Sequence, residues 1–331
     1  MRKLFLAVLS FGLLATPFFT NAHVKWFTEV EPVKESIENI LSPLFISLTF
    51  LAAIVLAFLA ILIPKTTGWA FIQKADEKLS GLRKYSKTIL KYGTAIALII
   101  QILSGTLFAP EFHLHSTIVI VFVWGVIGCL LIPHPIATKI GSVILLGLFV
   151  YITMQNGIFH MLDYGFYVAI IGVLLVSNTK WENIGFPFLY LGTGLSLCWV
   201  AVEKWVYPGM SLDIVVHHHV PTFGFAPAVF IVMAAFIEFV VGYLLVVGIL
   251  NRVLGFVVTV IFILTTMLFG FTEIIGHFMI HIVLIIFIIE GVSFYNPPIK
   301  MHNRVMDQFI FVFLNFLFVI STFVLIYYRF A

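Results

Sequence analysis

The side chains with the most chemical reach in this chain are its eleven histidines and a few carboxylates set in apolar sequence. Glu273, His277 and His281 are spaced by four, so on a helix they form one stripe, each about 6 Å above the last. Such a stripe could share a metal, hold a quinone head group by hydrogen bonds, or relay protons. It could equally be a polar seam between neighbouring helices. Glu238 lies in the middle of an apolar run, where a carboxylate has to be neutral or paired. Lys204 is its nearest basic candidate by depth, whereas Arg252 is about 20 Å further along an ideal helix. The alternative role for Glu238 is a structural hydrogen bond that orients its helices.

The remaining histidines cluster in loops. His113 and His115 follow Pro110, His217, His218 and His219 follow Pro208, and His160 sits between two apolar runs. Neutral imidazole is the commonest metal ligand and suits copper, zinc, iron and nickel. A three-histidine tract alone binds metals only loosely, and each lone histidine has a bland reading as a polar residue at a membrane interface.

Only membrane helices can position these groups. Hydrophobic residues make up 62% of the 331 and charged residues 10%, against about 25% charged in an ordinary soluble domain. Lipid is the solvent that tolerates this composition. Candidate spans lie near 42–63, 91–109, 116–133, 138–154, 164–178, 185–205, 225–249, 253–271, 276–295 and 308–328. Backbone groups in lipid must be satisfied internally, so each is expected to be a helix, giving an all-α polytopic bundle of about ten transmembrane helices. A net charge of +3 gives no sign of nucleic-acid binding, and the two cysteines, Cys129 and Cys198, form no CxxC.

Residues 1–22 read as a signal peptide: Arg2 and Lys3, an apolar stretch from Leu4 to Phe19, then the small-residue site Thr20-Asn21-Ala22. Cleavage there would make His23 the new N-terminus, offering an α-amine and a ring nitrogen to one ion, a chelate that favours copper. The amine's ordinary pKa of about 8 means a metal displaces a proton near neutrality. Export of this end puts the 64–91 loop, with Lys65, Lys74, Lys78, Arg83, Lys84, Lys87 and Lys91, in the cytoplasm, in keeping with the positive-inside rule. Most of the histidines then fall at the outer face. The expected localisation is the inner membrane, with the mature N-terminus periplasmic or extracellular.

Residues 92–110 and 191–208 both open on Gly-Thr and both end at proline. Gly128-Cys-Leu-Leu likewise parallels Gly242-Tyr-Leu-Leu. Either 91–178 and 184–295 are two four-helix repeats in one orientation, or Gly/Leu-rich helices match by chance. Flanking them are the 23–90 segment, with the first span and the basic loop, and a C-terminal span at 308–328.

Residues 184–295 resemble the DoxX family of small four-helix membrane proteins. The likeness rests on the run from Glu203 to Pro208, a histidine-containing loop, and the stretch from Glu238 through Gly242 and Gly248 to Arg252. The resemblance implies association with membrane redox complexes, including quinone-linked oxidation, and so a redox partner protein. Three functions are therefore expected in competition: a transition-metal handling protein using His23, His113, His115, His160, His217, His218, His219, His277 and His281; a quinone-linked oxidoreductase subunit using Glu238, Glu273 and His281; and a scaffold recruiting a soluble oxidoreductase.

Overall fold

The computed structural model describes residues 24–28, 30–66, 70–248, 250–291 and 304–331. The expected signal peptide, its cleavage site and His23 lie outside the described residues.

The architecture is all-helical apart from one small hairpin. In chain order the main elements are α1 (Pro43–Thr66), α2 (Ala70–Ser80), α3 (Ser86–Leu103), β1 (Thr106–Leu107), β2 (Ala109–His113), α4 (Thr117–Leu131), α5 (Pro135–Asn156), α6 (Phe166–Val176), α7 (Gly185–Val206), α8 (Pro208–His217), α9 (Pro227–Val247), α10 (Asn251–Phe269), α11 (Phe271–Glu290) and α12 (Val305–Phe330). Among the described residues, eight helical stretches are long and apolar enough to cross a membrane, or nine if the bent pair Ile158–Tyr164 and Phe166–Val176 is one span. Each of the ten apolar segments picked out in the sequence overlaps a helix, though 91–109 runs on into the β1–β2 hairpin and the end of 276–295 lies outside the described residues. They differ in length: α4 is apolar but has only 15 residues, and the 164–178 segment is bent by 66°. That bend makes it either a broken span or a re-entrant loop.

Large apolar side chains cover the outside. Met154, Met267 and Phe318 are 83%, 79% and 70% exposed, a surface suited to lipid tails. Inside, the backbones of α7 and α9 touch. A Cβ added to Gly194 would lie 2.5 Å from the Gly242 carbonyl oxygen, and one added to Gly242 would lie 2.6 Å from that of Gly194. Small residues at a crossing are how membrane helices gain close packing without a hydrophobic driving force. The contact brings the Glu238 level of α9 against the Lys204 end of α7. α12 closes the bundle through Tyr243, whose hydroxyl donates to Asn315 at 2.7 Å.

Two ends of the bundle can be distinguished. One carries the lysine-rich segment around α2, where Arg83 and Arg252 both reach Asp76. The other carries the β1–β2 hairpin. Gln101 pins that hairpin, accepting from the Phe108 N–H at 3.0 Å while donating to the Tyr167 hydroxyl at 2.7 Å. Phe108, with φ of 67°, is fully buried at the turn.

Candidate functional site

A polar core lies at the hairpin end, assembled from segments distant in sequence. The N-terminal turn Val24–Trp26 inserts two side chains into it. Lys25 Nζ lies 2.6 Å from Asp163 and 2.7 Å from Glu203, and Glu203 also accepts from the Tyr327 hydroxyl at 3.0 Å. The Trp26 indole N–H donates to the Tyr164 hydroxyl at 2.9 Å, and that hydroxyl donates to Glu111 at 2.5 Å. His160 Nε2 stands 2.9 Å from the same Glu111 carboxylate. The bend before α6 makes this possible, because it turns Asp163 and Tyr164 into the bundle instead of along its lipid face.

Trp26 reaches α11 as well. Its ring occupies the space that a Cβ at Gly276 would need, and it lies 5.0 Å from the His277 ring. Gly276 therefore serves as a seat for the indole and does not interrupt α11, which runs unbroken from Phe271. On that helix Glu273 and His277 are buried and hydrogen-bonded to each other. Phe262 stacks on His277 at 4.3 Å and meets His281 edge-on at 5.9 Å. The expected stripe exists as geometry, with Glu273 and His277 inside the core and His281 half-buried beyond the phenylalanine.

Glu238 is met by Lys204, whose Nζ is 2.5 Å from its carboxylate. Both are buried. The pair lies between two spaces. Lys204 lines a crevice of about 340 Å³ whose walls include Asn39, Ser42 and Leu212. Glu238 lines a cavity of about 30 Å³, together with Asp163, Thr193, Ser196 and His277. A water needs roughly 10–15 Å³ of such space, so the cavity has room for about two. Asp163 Oδ1 and Thr193 Oγ1, which belong to residues of its wall, are buried with no hydrogen-bond partner among the described residues. Ser196, whose hydroxyl accepts from the Phe166 N–H at 3.0 Å, lines the cavity and also a separate groove of about 400 Å³ walled by Leu162, Phe188, Leu195, Trp199 and Phe323.

Lys25, in the Val24–Trp26 turn, and Glu111, in β2, lie outside the spanning helices. Burial pulls the Lys25 ammonium toward neutrality, but Asp163 and Glu203 outweigh it and raise its pKa above the ordinary 10.5. Burial likewise opposes the Glu111 charge. His160, Tyr164 and Lys25 overcome it and hold the carboxyl below its ordinary 4.5.

The loop histidines do not gather. His160 joins the core through Glu111. His113 and His115 have ring centroids 6.4 Å apart and are both exposed. His217 pairs with Asp213 at 2.6 Å, His218 packs on Phe27 and Phe269, and His219 is exposed. Among the described residues no three of His, Cys, Asp or Glu are grouped so as to hold a metal ion. Sequence reasoning missed Lys25, Trp26, Glu111, Asp163, Tyr164 and Tyr327 as core members. Asp163 carried a readable signal, a lone carboxylate flanked by apolar residues next to a predicted span. Comparison of the chain with protein-family profiles, with curated proteins and with solved structures finds no match.

Proposed function

We propose that the chain is an inner-membrane protein with ten crossings, its lysine-rich end in the cytoplasm and its hairpin end outside, and that its polar core serves proton exchange in a quinone-linked oxidoreductase subunit of the DoxX type. The observation that carries this reading is the Lys204–Glu238 pair, which stands between an outer crevice and a water-sized cavity lined by Asp163 and His277. Ionisable groups at this depth are costly, and default to a role in proton or substrate passage.

Charge arithmetic supports it. Five carboxylates (Glu111, Asp163, Glu203, Glu238 and Glu273) share the core with two lysines, Lys25 and Lys204, and two histidines, His160 and His277. Uncompensated buried charge is expensive, and carboxylates outnumber lysines here, so a core of this composition is suited to taking up protons and passing them on. Ser196 adds the link to a lipid-soluble substrate, because it lines both the cavity and the apolar groove among Leu162, Trp199 and Phe323. A quinone there would become hydroquinone by gaining two electrons from a soluble redox partner and two protons by way of this core. Metal capture, with copper foremost, has less support, since the described histidines bring at most one carboxylate each and no third ligand.

The test is a titration of the purified full chain with a short-chain ubiquinone and a short-chain menaquinone, followed by quenching of tryptophan fluorescence, alongside elemental analysis for copper, zinc, iron and nickel. Saturable binding of either quinone, weakened by Leu195→Trp in the groove, is expected. Binding of neither quinone overturns the proposal: stoichiometric metal would then favour the metal reading, and neither ligand would leave the scaffold.

A further inference from the structure

The opposite, lysine-rich end of the bundle carries a second cavity, of about 360 Å³, between α3, α5 and α6. Three of its lining residues, Lys84, Lys87 and Lys91, follow one another at intervals of three and four, so they share a face as the chain enters and runs along α3. The opposite wall is polar: His134 before α5, and Ser177 and Asn178 after α6. Among the described residues no carboxylate lines the cavity. The one nearby, Glu182, is taken up by Lys87 at 2.5 Å and by the Asn178 N–H at 2.7 Å. Lys91 donates to the Ile132 carbonyl at 2.7 Å, which fixes its ammonium at the rim. The Lys84 ammonium rests 4.9 Å above the Tyr85 ring and is exposed. Tyr92 and the buried Leu174 give the cavity an apolar floor.

This is a cationic recess with hydroxyl and amide donors above and an apolar base below, at the end of the helices where lipid head groups lie. We propose that it is a binding site for a phosphate ester, occupied by the head group of an anionic phospholipid. Lysine takes phosphate as a compact point charge. Basic pockets between helices on the cytoplasmic side are suited to anionic head groups. The apolar floor fits the glycerol and upper acyl region of such a lipid, which a free phosphate lacks.

The experiment is native mass spectrometry of the detergent-solubilised full chain, titrated with phosphatidylglycerol or with phosphatidylcholine. A parallel thermal-melting arm contains inorganic phosphate and no added lipid. Phosphatidylglycerol should bind the wild type in preference to phosphatidylcholine. The double variant Lys84→Gln/Lys91→Gln should bind it about thirtyfold more weakly, two lysines near an anionic surface each contributing a few-fold. Lys180→Gln, at the same end but outside the recess, should bind as the wild type does and serves as the control for net charge and folding. If inorganic phosphate raises the melting temperature of the wild type and not of the double variant, the phosphate site stands and a soluble anion is its occupant. Equal affinity for the two lipids, or unchanged affinity in the double variant, overturns the proposal.

Discussion

Lys25 and Asp163, 138 positions apart in the chain, meet at 2.6 Å, the lysine mostly and the aspartate almost wholly enclosed. The contact makes a short segment ahead of α1 part of the bundle's interior. Removing one partner of a buried pair leaves the other charge uncompensated. Lys25→Met should therefore destabilise the protein by roughly 3–5 kcal/mol, read as a lower melting temperature in detergent. Adding Asp163→Asn and Glu203→Gln should restore part of the loss. A Lys25→Met protein that melts with the wild type would show that the pair carries no weight.

Gly194 and Gly242 should not tolerate a methyl group. Gly194→Ala sets a side-chain carbon against a carbonyl on the facing helix, and helices joined by close backbone contact cannot separate without losing their packing. Gly128→Ala is the contrast: nothing lies within 4 Å of its added carbon, and alanine is the better helix former by about 0.5–1 kcal/mol. The first substitution should lower the melting temperature and the second should leave it unchanged or raise it.

Stability should fall at both extremes of pH for separate reasons. Glu111 has a folded pKa below its ordinary 4.5, so its contribution is complete above that value and is lost as pH falls through the folded pKa. Lys25 is displaced upward from 10.5, so its contribution is complete below that value and is lost as pH rises through the folded pKa. These two groups leave a plateau between about pH 5 and pH 10. Melting curves across pH should show Glu111→Gln flattening the acid limb, while Lys25→Met flattens the alkaline one. An acid limb that is unchanged in Glu111→Gln would assign it to other groups.

Topology can be read by labelling. With Cys129 and Cys198 replaced by alanine, a cysteine at Lys78 should react with an impermeant maleimide only after the cells are opened. A cysteine at Thr222, in the exposed loop before α9, should react in intact cells. The reverse pattern would invert the orientation drawn from the lysine bias.

The helices were legible because lipid imposes a simple rule: an apolar run of sufficient length has to hydrogen-bond to itself. The Lys204–Glu238 pair was legible for a related reason, since a mid-span carboxylate demands a partner and few cations lie at its depth. Periodicity placed Glu273 and His277 on one face of α11. It could not foresee Trp26, because a residue in a loop has no periodic position and its seat at Gly276 lies on the far side of the sequence. The histidines misled for a physical reason too. They share an end of the bundle, but a shared depth does not fix lateral position, and His113, His160 and His217 stand on different elements with different partners.

The insertion of Lys25 and Trp26 also sets an order of assembly. These residues are synthesised long before the helices that receive them. Asp163 follows by 138 positions, and Gly276, against which the indole rests, comes later still. Until α7 and α11 have been made, the segment lacks the Glu203 and Gly276 partners that hold it in the finished bundle. Its full docking is therefore a late step in biogenesis, a closing stitch that sews an early-made segment to helices made long after it.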